Sequence, residues 1–198
     1  QWTAHRNLQL DHQQRCFVAL LPDRPSRGES ACREGAAGVV GLRLKGAGPA
    51  GEPVEAHPPL LLKVKGHSRW GPYAYQPVLA RQGRRLTREH QLPLALMAHL
   101  LEQEQQAPVT EMLVVGGSGR RLERDRVGFS HGLRRQLGDA LRKLSSDLSH
   151  SQPPALAADR RKCTLCSWRG PCNSEAVAQG HLSEVSGIGA KRREMLQE

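Results

Sequence analysis

Aromatic residues, acidic residues and long apolar runs are all scarce in this sequence. Aromatic residues make up 4% of the 198 residues and hydrophobic residues 38%, beside 20 glycines and 13 prolines. This balance predicts a thin core with generous loops. There is no run of about 18 apolar residues, and the N-terminal segment QWTAHRNLQLDHQQR is too polar for a signal-peptide core. We therefore expect a cytoplasmic protein without a membrane partner.

Acidic residues are too few to balance the basic ones. Lys and Arg total 29 against 19 Asp and Glu, which gives a net charge of +10, and most of the basic residues are arginine. Because arginine suits bidentate contact with phosphate, this charge predicts a polyanionic partner. A GC-rich genome would explain arginine in place of lysine, but not the excess of bases over acids.

We also expect the sequence to be a piece of a longer protein, truncated at both ends. It starts at Gln1 instead of a methionine, and it stops at Glu198 inside a helical pattern that has no C-capping glycine.

The hydrophobic periodicity predicts an α/β fold with a small mixed central sheet flanked by helices. Predicted helices cover residues 4–21, 88–106 and 129–150, and predicted strands cover residues 38–46, 58–66, 73–83 and 109–117. Thr87 is expected to cap the second helix, with Pro93 near its start. Pro77 indicates that the third strand lies at an edge or at a bulge.

Cysteine is infrequent, yet three of the five cysteines fall within CTLCSWRGPC. The turn between Cys163 and Cys166 brings two sulfurs together, and the Gly-Pro turn folds the chain back toward Cys172. In a chain without an export signal this spacing favours metal ligation over disulfides. Zinc and an iron–sulfur cluster both fit it, and either needs a fourth ligand. The candidates are Cys16, Cys32, His181 and a residue outside this sequence.

The C-terminal segment GHLSEVSGIGAKRREMLQE has the form of a helix-hairpin-helix. Gly187, Ile188 and Gly189 would make the tight turn, and Lys191 and Arg192 follow in the second helix. Glycines let the backbone approach a phosphate, while helix N-terminal amides and basic side chains attract it. Such a hairpin binds nucleic-acid backbone without reading sequence. The alternative is an ordinary helix-turn-helix contact in which Ile188 packs in a core.

The order of these pieces resembles the RecB-like nucleases of the PD-(D/E)xK superfamily, in the branch with a cysteine knuckle and a helix-hairpin-helix after the nuclease core. The matching segments are LLLKVKGHSRWGPYAYQPVLARQGRRLTREHQLPLALMAHLLEQEQQ, the helix at 129–150, CTLCSWRGPC and GHLSEVSGIGAKRREML. Together they cover most of residues 58–198.

The resemblance implies three parts of the chain. These are a restriction-endonuclease-like core at residues 1–158, truncated at its N-terminus, a cysteine knuckle at 159–178, and a C-terminally truncated helix-hairpin-helix at 179–198. It also implies a [4Fe-4S] cluster held by Cys163, Cys166 and Cys172 and by one cysteine far upstream, which ties the ends of the nuclease domain together. That fourth ligand would lie before residue 1 or be Cys16.

The strands depart from the catalytic pattern of this family. Such nucleases carry an Asp and then Glu-x-Lys or Asp-x-Lys on adjacent strands, because two carboxylates hold Mg2+ while the lysine positions the attacking water. Here GVVGLRLKG and PPLLLKVKG have no carboxylate, and the third strand reads Leu79-Ala80-Arg81.

The helices depart from that pattern as well. The expected Gln-x-x-x-Tyr reads Gln91 followed by Ala95, and only His12 corresponds to the histidine of the first helix. Glu55 and Glu89 are the nearest other acids, and neither occupies a motif position. We therefore name no catalytic residue, and Mg2+ is expected only if the protein is active.

Three hypotheses remain at this point. The favoured one is a DNA-binding member of the nuclease family that has lost cleavage and is stabilised by its cluster, with single- or double-stranded DNA and a helicase or DNA-repair protein as partners. The second is an active Mg2+-dependent DNA exonuclease or endonuclease. The third is a zinc-knuckle interaction module on an unrelated α/β domain.

Overall fold

The computed structural model describes residues 11–21, 23–81, 86–116, 122–151, 156, 169–181 and 195–196, with the backbone alone at 88 and 89. The chain divides into two compact units, Gln1–Leu148 and Ser149–Glu198. The three-part division implied by the family resemblance stays a prediction.

The first unit alternates short strands with helices. Its elements are α1 (residues 11–18), β1 (Ser26–Arg27), α2 (Gly28–Arg33), β2 (Gly38–Val40), β3 (Leu44–Ala47), β4 (Pro53–Ala56), β5 (Leu60–Val64), β6 (Ala74–Arg81), α3 (Arg88–Gln105), β7 (Glu111–Gly116), β8 (Glu123–Gly128) and α4 (His131–Ser149), whose last residue belongs to the second unit.

Six strands of the described residues form one mixed sheet in the order β1-β2-β5-β6-β7-β8. The pairs β1–β2 and β6–β7 are parallel and the other neighbours are antiparallel. The α3 helix makes the crossover that two parallel neighbours require. These findings confirm the predicted α/β class with a mixed central sheet.

Helices cover both faces of this sheet. On one face, Leu61 and Tyr75 share a core cluster with Leu94 and Leu101 of α3. On the other face, the second core cluster joins α1 to the sheet through Cys16, Phe17, Leu21, Leu60, Val78, Leu113 and Val115. Because successive strand residues point to opposite faces, a strand covered on both sides is apolar throughout. This explains the unbroken Leu-Leu-Leu start of β5.

The predicted strand at 38–46 is wrong as a single element. It divides into β2 and β3, because Gly41 between them has φ +70° and turns the chain out of the sheet. The β3 strand then forms a separate two-stranded hairpin with β4, an element that the sequence analysis missed. The alternation of apolar residues continues across Gly41 in the sequence, so this periodicity does not reveal that the strand ends there.

Pro77 lies in an inner strand of the sheet, contrary to the edge or bulge that it suggested. Proline fits there because the first half of β6 pairs with β5 alone, and the register with β7 begins only at Val78. Pro77 is therefore next to a locally open edge, where its missing N–H breaks no ladder.

The α3 helix begins at the predicted cap and contains Pro93 in its first turns. The predicted apolar stripe of Leu92, Leu96, Leu100 and Leu101 is only partly correct. The residues of α3 that are at least nine-tenths buried are Leu94, Ala95, Met97, Ala98, Leu100, Leu101 and Gln105. The buried arc is wide because α3 also contacts the β3–β4 hairpin, where Gln103 and His99 bond the Ala47 backbone.

Gln105 supplies the hydrogen bonds that the open edge of β6 lacks. Its side chain is fully buried. The amide oxygen accepts from Tyr75 N at 2.9 Å, and the amide nitrogen donates to Tyr75 O at 3.3 Å and to Ala107 O at 3.2 Å. A buried backbone group without a partner is costly, so this one side chain substitutes for a neighbouring strand.

Replacing Gln105 with Met should lower the free energy of unfolding by about 2 to 4 kcal/mol, because buried backbone groups at Tyr75 and Ala107 lose their partners. Urea denaturation measures this change. Gln103→Met is the matched control, since its bonds to Ala47 are exposed, and it should cost less than about 1 kcal/mol. Equal losses for the two variants would show that Gln105 has no special role.

The second unit contains α5 (Arg169–Ala178) among its described residues. This helix ends in a Schellman motif: His181 N donates to Ala176 O at 2.8 Å, Gly180 N donates to Val177 O at 3.1 Å, and Gly180 has φ +60°. In the described part of the chain, no helix has the length and apolar character needed to cross a membrane.

Candidate functional site

A cleft opens in the first unit at the edge of the sheet where β6 ends. Its volume is about 370 Å³, and its lining residues are His12, Gln13, Pro59, Leu79, Ala80, Arg81 and His90. They come from α1, the start of β5, the end of β6 and the first turn of α3. Antiparallel β5 starts where β6 ends, which brings these four segments together.

His12 is fixed against the end of β6. Its Nε2 donates to the backbone oxygen of Arg81 at 2.8 Å, and the Cys16 Sγ lies 3.6 Å from the same nitrogen. In the neutral ring Nε2 therefore carries the hydrogen and Nδ1 is an acceptor. His12 is therefore oriented at the wall of the cleft.

His90 is fixed by the start of α3. The backbone N–H of Thr87 donates to His90 Nδ1 at 3.1 Å, and Thr87 Oγ1 lies 2.8 Å from the same nitrogen. This side-chain-to-backbone capping leaves Nε2 as the protonated nitrogen of the neutral ring. The cleft therefore has two oriented imidazoles.

Arg81 is the charged group of the cleft, and its side chain is only 1% exposed. Its Nη2 donates to Glu123 Oε2 at 2.6 Å, and its Nε donates to Asp125 Oδ2 at 3.0 Å. Both acids lie on β8, on the far side of β7. Burial disfavours the charged guanidinium, but the bonds to Glu123 and Asp125 outweigh it, and the pKa of Arg81 lies above its ordinary value.

The arginine reaches β8 by passing over Gly116 of β7. Arg81 is in register with Gly116, and Gly116 is in register with Glu123. A Cβ at Gly116 would lie 2.5 Å from Arg81 Cγ and 2.7 Å from the Arg81 backbone oxygen. Glycine is needed here for the close approach and not for its backbone freedom.

The sequence analysis missed the two carboxylates that contact the cleft residue Arg81. Glu123 and Asp125 alternate in ERDRVG with Val127, a period-2 pattern that is typical of a strand. That pattern was the available signal. Because charged residues outnumber apolar ones in this segment, its sequence resembles that of a loop. Its pairing with β7 in the structure identifies it as a strand.

The cleft has no carboxylate among its described lining residues. Glu55 lies instead on β4, where hydrogen bonds from Arg43 lower the pKa of Glu55 to about 2 and His57 also contacts it. The side chain of Glu89 lies outside the described residues. The positions that the acid-x-Lys motif would occupy hold Leu79 and the buried Arg81.

Of the predicted metal ligands, the structure describes Cys172, whereas Cys163 and Cys166 lie outside the described residues. Cys172 is a free, partly exposed cysteine in the first turn of α5. Within the described ranges, no three His, Cys, Asp or Glu side chains form a group that could hold a metal ion.

The two upstream cysteines named as candidates for the fourth ligand are both buried in the first unit. Cys16 belongs to the α1 core cluster, and Cys32 is fully buried in the α3 core cluster. Burial raises the pKa of the Cys16 thiol, and burial, followed by the charges of Glu29 and Glu104, raises that of Cys32 to about 11. Without a bound metal, both environments favour the neutral thiol over the thiolate.

The proposed DNA-contacting residues cannot be placed relative to the cleft. Gly187, Ile188, Gly189, Lys191 and Arg192 all lie outside the described residues. Their role in a hairpin stays a prediction from the sequence.

Comparison of the chain with known protein families and with curated proteins gives no match in either case.

Proposed function

We propose that this protein binds DNA, that its nuclease-type α/β core does not cleave it, and that an iron–sulfur cluster stabilises the fold. Within this proposal, the first unit is a restriction-endonuclease-like core. The basic hairpin of the second unit contacts the DNA backbone.

The arrangement of the strands supports the nuclease-type core. The β5 and β6 strands are adjacent and antiparallel, so two acids on them would face one cleft, as a two-carboxylate metal site requires. The cleft lies at their shared edge, and His12 of the first helix lines it. The architecture that the family resemblance implies is therefore compatible with the sheet and with the position of this histidine.

The side chains at the cleft are the observation that argues against cleavage. Metal-dependent hydrolysis of a phosphodiester needs acidic ligands for the cation. The motif position holds Leu79, and the only cationic side chain of β6, Arg81, is already bonded to Glu123 and Asp125. The described lining residues do not fit Mg2+, so we assign no hydrolytic step to this cleft.

Binding to DNA requires less than cleavage does. The net charge of +10 attracts a polyanion, and a glycine turn followed by Lys191 and Arg192 can contact phosphates without base readout. Both features are independent of the cleft. A protein that has lost its metal ligands can therefore keep its affinity for DNA.

The full chain should bind end-labelled single-stranded or double-stranded DNA and cut neither in Mg2+ or Mn2+, because the described lining of the cleft offers no acidic metal ligand. Denaturing gels of the incubated DNA test this, with a known metal-dependent nuclease in a parallel reaction as the control for metal and buffer. Robust cleavage that a chelator abolishes would overturn the proposal and favour the active-nuclease hypothesis.

Replacing Gly187 and Gly189 together with Val should weaken DNA binding about tenfold or more at fixed salt, equally for unrelated sequences, because the backbone can no longer approach the phosphate. Fluorescence anisotropy measures the dissociation constants. Gly128→Val, outside the cysteine and hairpin segments, is the control, since nothing lies within 4 Å of a Cβ built there. An unchanged isotherm for the double variant would remove the hairpin from the DNA interface.

For the cluster, Cys163, Cys166 and Cys172 are the proposed ligands, with the fourth supplied by Cys16 or by a residue outside this sequence. When bound, a [4Fe-4S] cluster would tie together chain segments distant in sequence, a structural role that needs no redox chemistry. The partly exposed position of Cys172 is compatible with this assignment.

Anaerobically purified protein should be brown and absorb at about 400 nm, the region of thiolate-to-iron charge transfer. Cys166→Ser should remove that absorbance and lower the melting temperature, whereas Cys32→Ala should keep the colour, because Cys32 is enclosed in the core. Colourless protein containing zinc would support the zinc-knuckle hypothesis instead.

A further inference from the structure

The cleft at the end of β6 is large enough to hold one small ring compound. Its volume is about 370 Å³, and ligand pockets in proteins span about 300 to 1,000 Å³. Pro59, Leu79 and Ala80 give the cleft apolar walls. A flat ligand can pack against such walls, provided that the polar atoms along its edge find hydrogen-bond partners.

Three polar groups at the cleft can supply those partners. In the neutral rings, His12 Nδ1 is an acceptor and His90 Nε2 is a donor, because the other nitrogen of each ring bonds the protein. The amide of Gln13 adds both a donor and an acceptor. The described residues form no hydrogen bond with these three groups. They are therefore available to a bound molecule.

The charges around the cleft disfavour an ion as its occupant. The described lining contains no carboxylate for a metal ion. Its guanidinium, that of Arg81, is 1% exposed and bonded to Glu123 and Asp125. A phosphate in the cleft would therefore gain no strong charge-assisted bond from it. These groups favour an uncharged polar ring over a metal ion or an anion.

We propose that the cleft binds one unpaired nucleobase. A nucleobase is flat and uncharged and carries donors and acceptors along its edge. Its face can pack on Leu79 or on an imidazole ring, while its edge bonds the Gln13 amide. The choice of a nucleobase among uncharged ring compounds rests on the proposed function, and it implies that the protein prefers unpaired DNA.

The direct test titrates the full chain with thymidine and with deoxyadenosine up to about 20 mM and follows the histidine ring nitrogens by NMR. Both nucleosides should shift the His12 and His90 signals, with dissociation constants in the millimolar range. Deoxyribose, which lacks the base, and inorganic phosphate should leave these signals unchanged. No shift with the nucleosides, or an equal shift with deoxyribose or phosphate, would overturn the inference.

A double variant tests whether the polar groups of the cleft are responsible for this binding. Gln13→Ala with His90→Ala should weaken thymidine binding by about tenfold or more, because hydrogen bonds and one imidazole ring are removed. The control is Gln14→Ala with His57→Ala, which removes the same residue types outside the described cleft lining and should keep the wild-type affinity. Equal weakening in the two double variants would contradict the assignment of the cleft.

Failure of this inference is distinguishable from failure of the proposed function. Nucleosides carry no phosphate, so their binding does not depend on contact between the hairpin and the DNA backbone. A chain that binds DNA but no nucleoside would refute the cleft inference and leave the proposed DNA binding intact. A chain that binds nucleosides in the cleft but no DNA would refute the proposed function instead.

Discussion

The burial of one positive charge is the constraint on which the cleft depends. Arg81 ends β6 with its guanidinium inside the sheet, and a buried charge persists only with partners. Those partners come from β8, two strands away, and their approach requires Gly116 on the strand between them. The backbone oxygen of the same arginine fixes His12. One residue therefore joins the outer strand, the central strands and the first helix.

This constraint also decides what chemistry the cleft can perform. A divalent metal and a buried guanidinium are alternative ways to neutralise neighbouring carboxylates, and here the guanidinium is covalently part of the chain. It cannot dissociate, polarise a phosphoryl oxygen or activate water as a metal does. The guanidinium balances the charge of Glu123 and Asp125 within the sheet without a metal.

Sequence patterns predicted the elements whose apolar residues repeat regularly. The α3 helix, with its cap at Thr87, and strands β5, β6 and β7 all lie within the predicted segments. The failures have specific causes. The β4 and β8 strands are short and carry charges, so their alternation is weak. The strand predicted across Gly41 keeps its alternation, although a positive φ ends it there. Pro77 suggests an edge strand, but a proline needs an open edge only at its own position. The part of β6 that contains Pro77 has no partner in β7.

The sequence by itself determined the class of fold, the positions of the main helices and strands, and the absence of an acid-x-Lys motif, because these follow from local periodicity and residue identity. Only the tertiary structure decided what Arg81 and Gln105 do. Arg81 meets Asp125 across 44 residues and Gln105 meets Tyr75 across 30. Such pairings depend on strand order and register, which are set by the packing of the whole core and not by any segment alone.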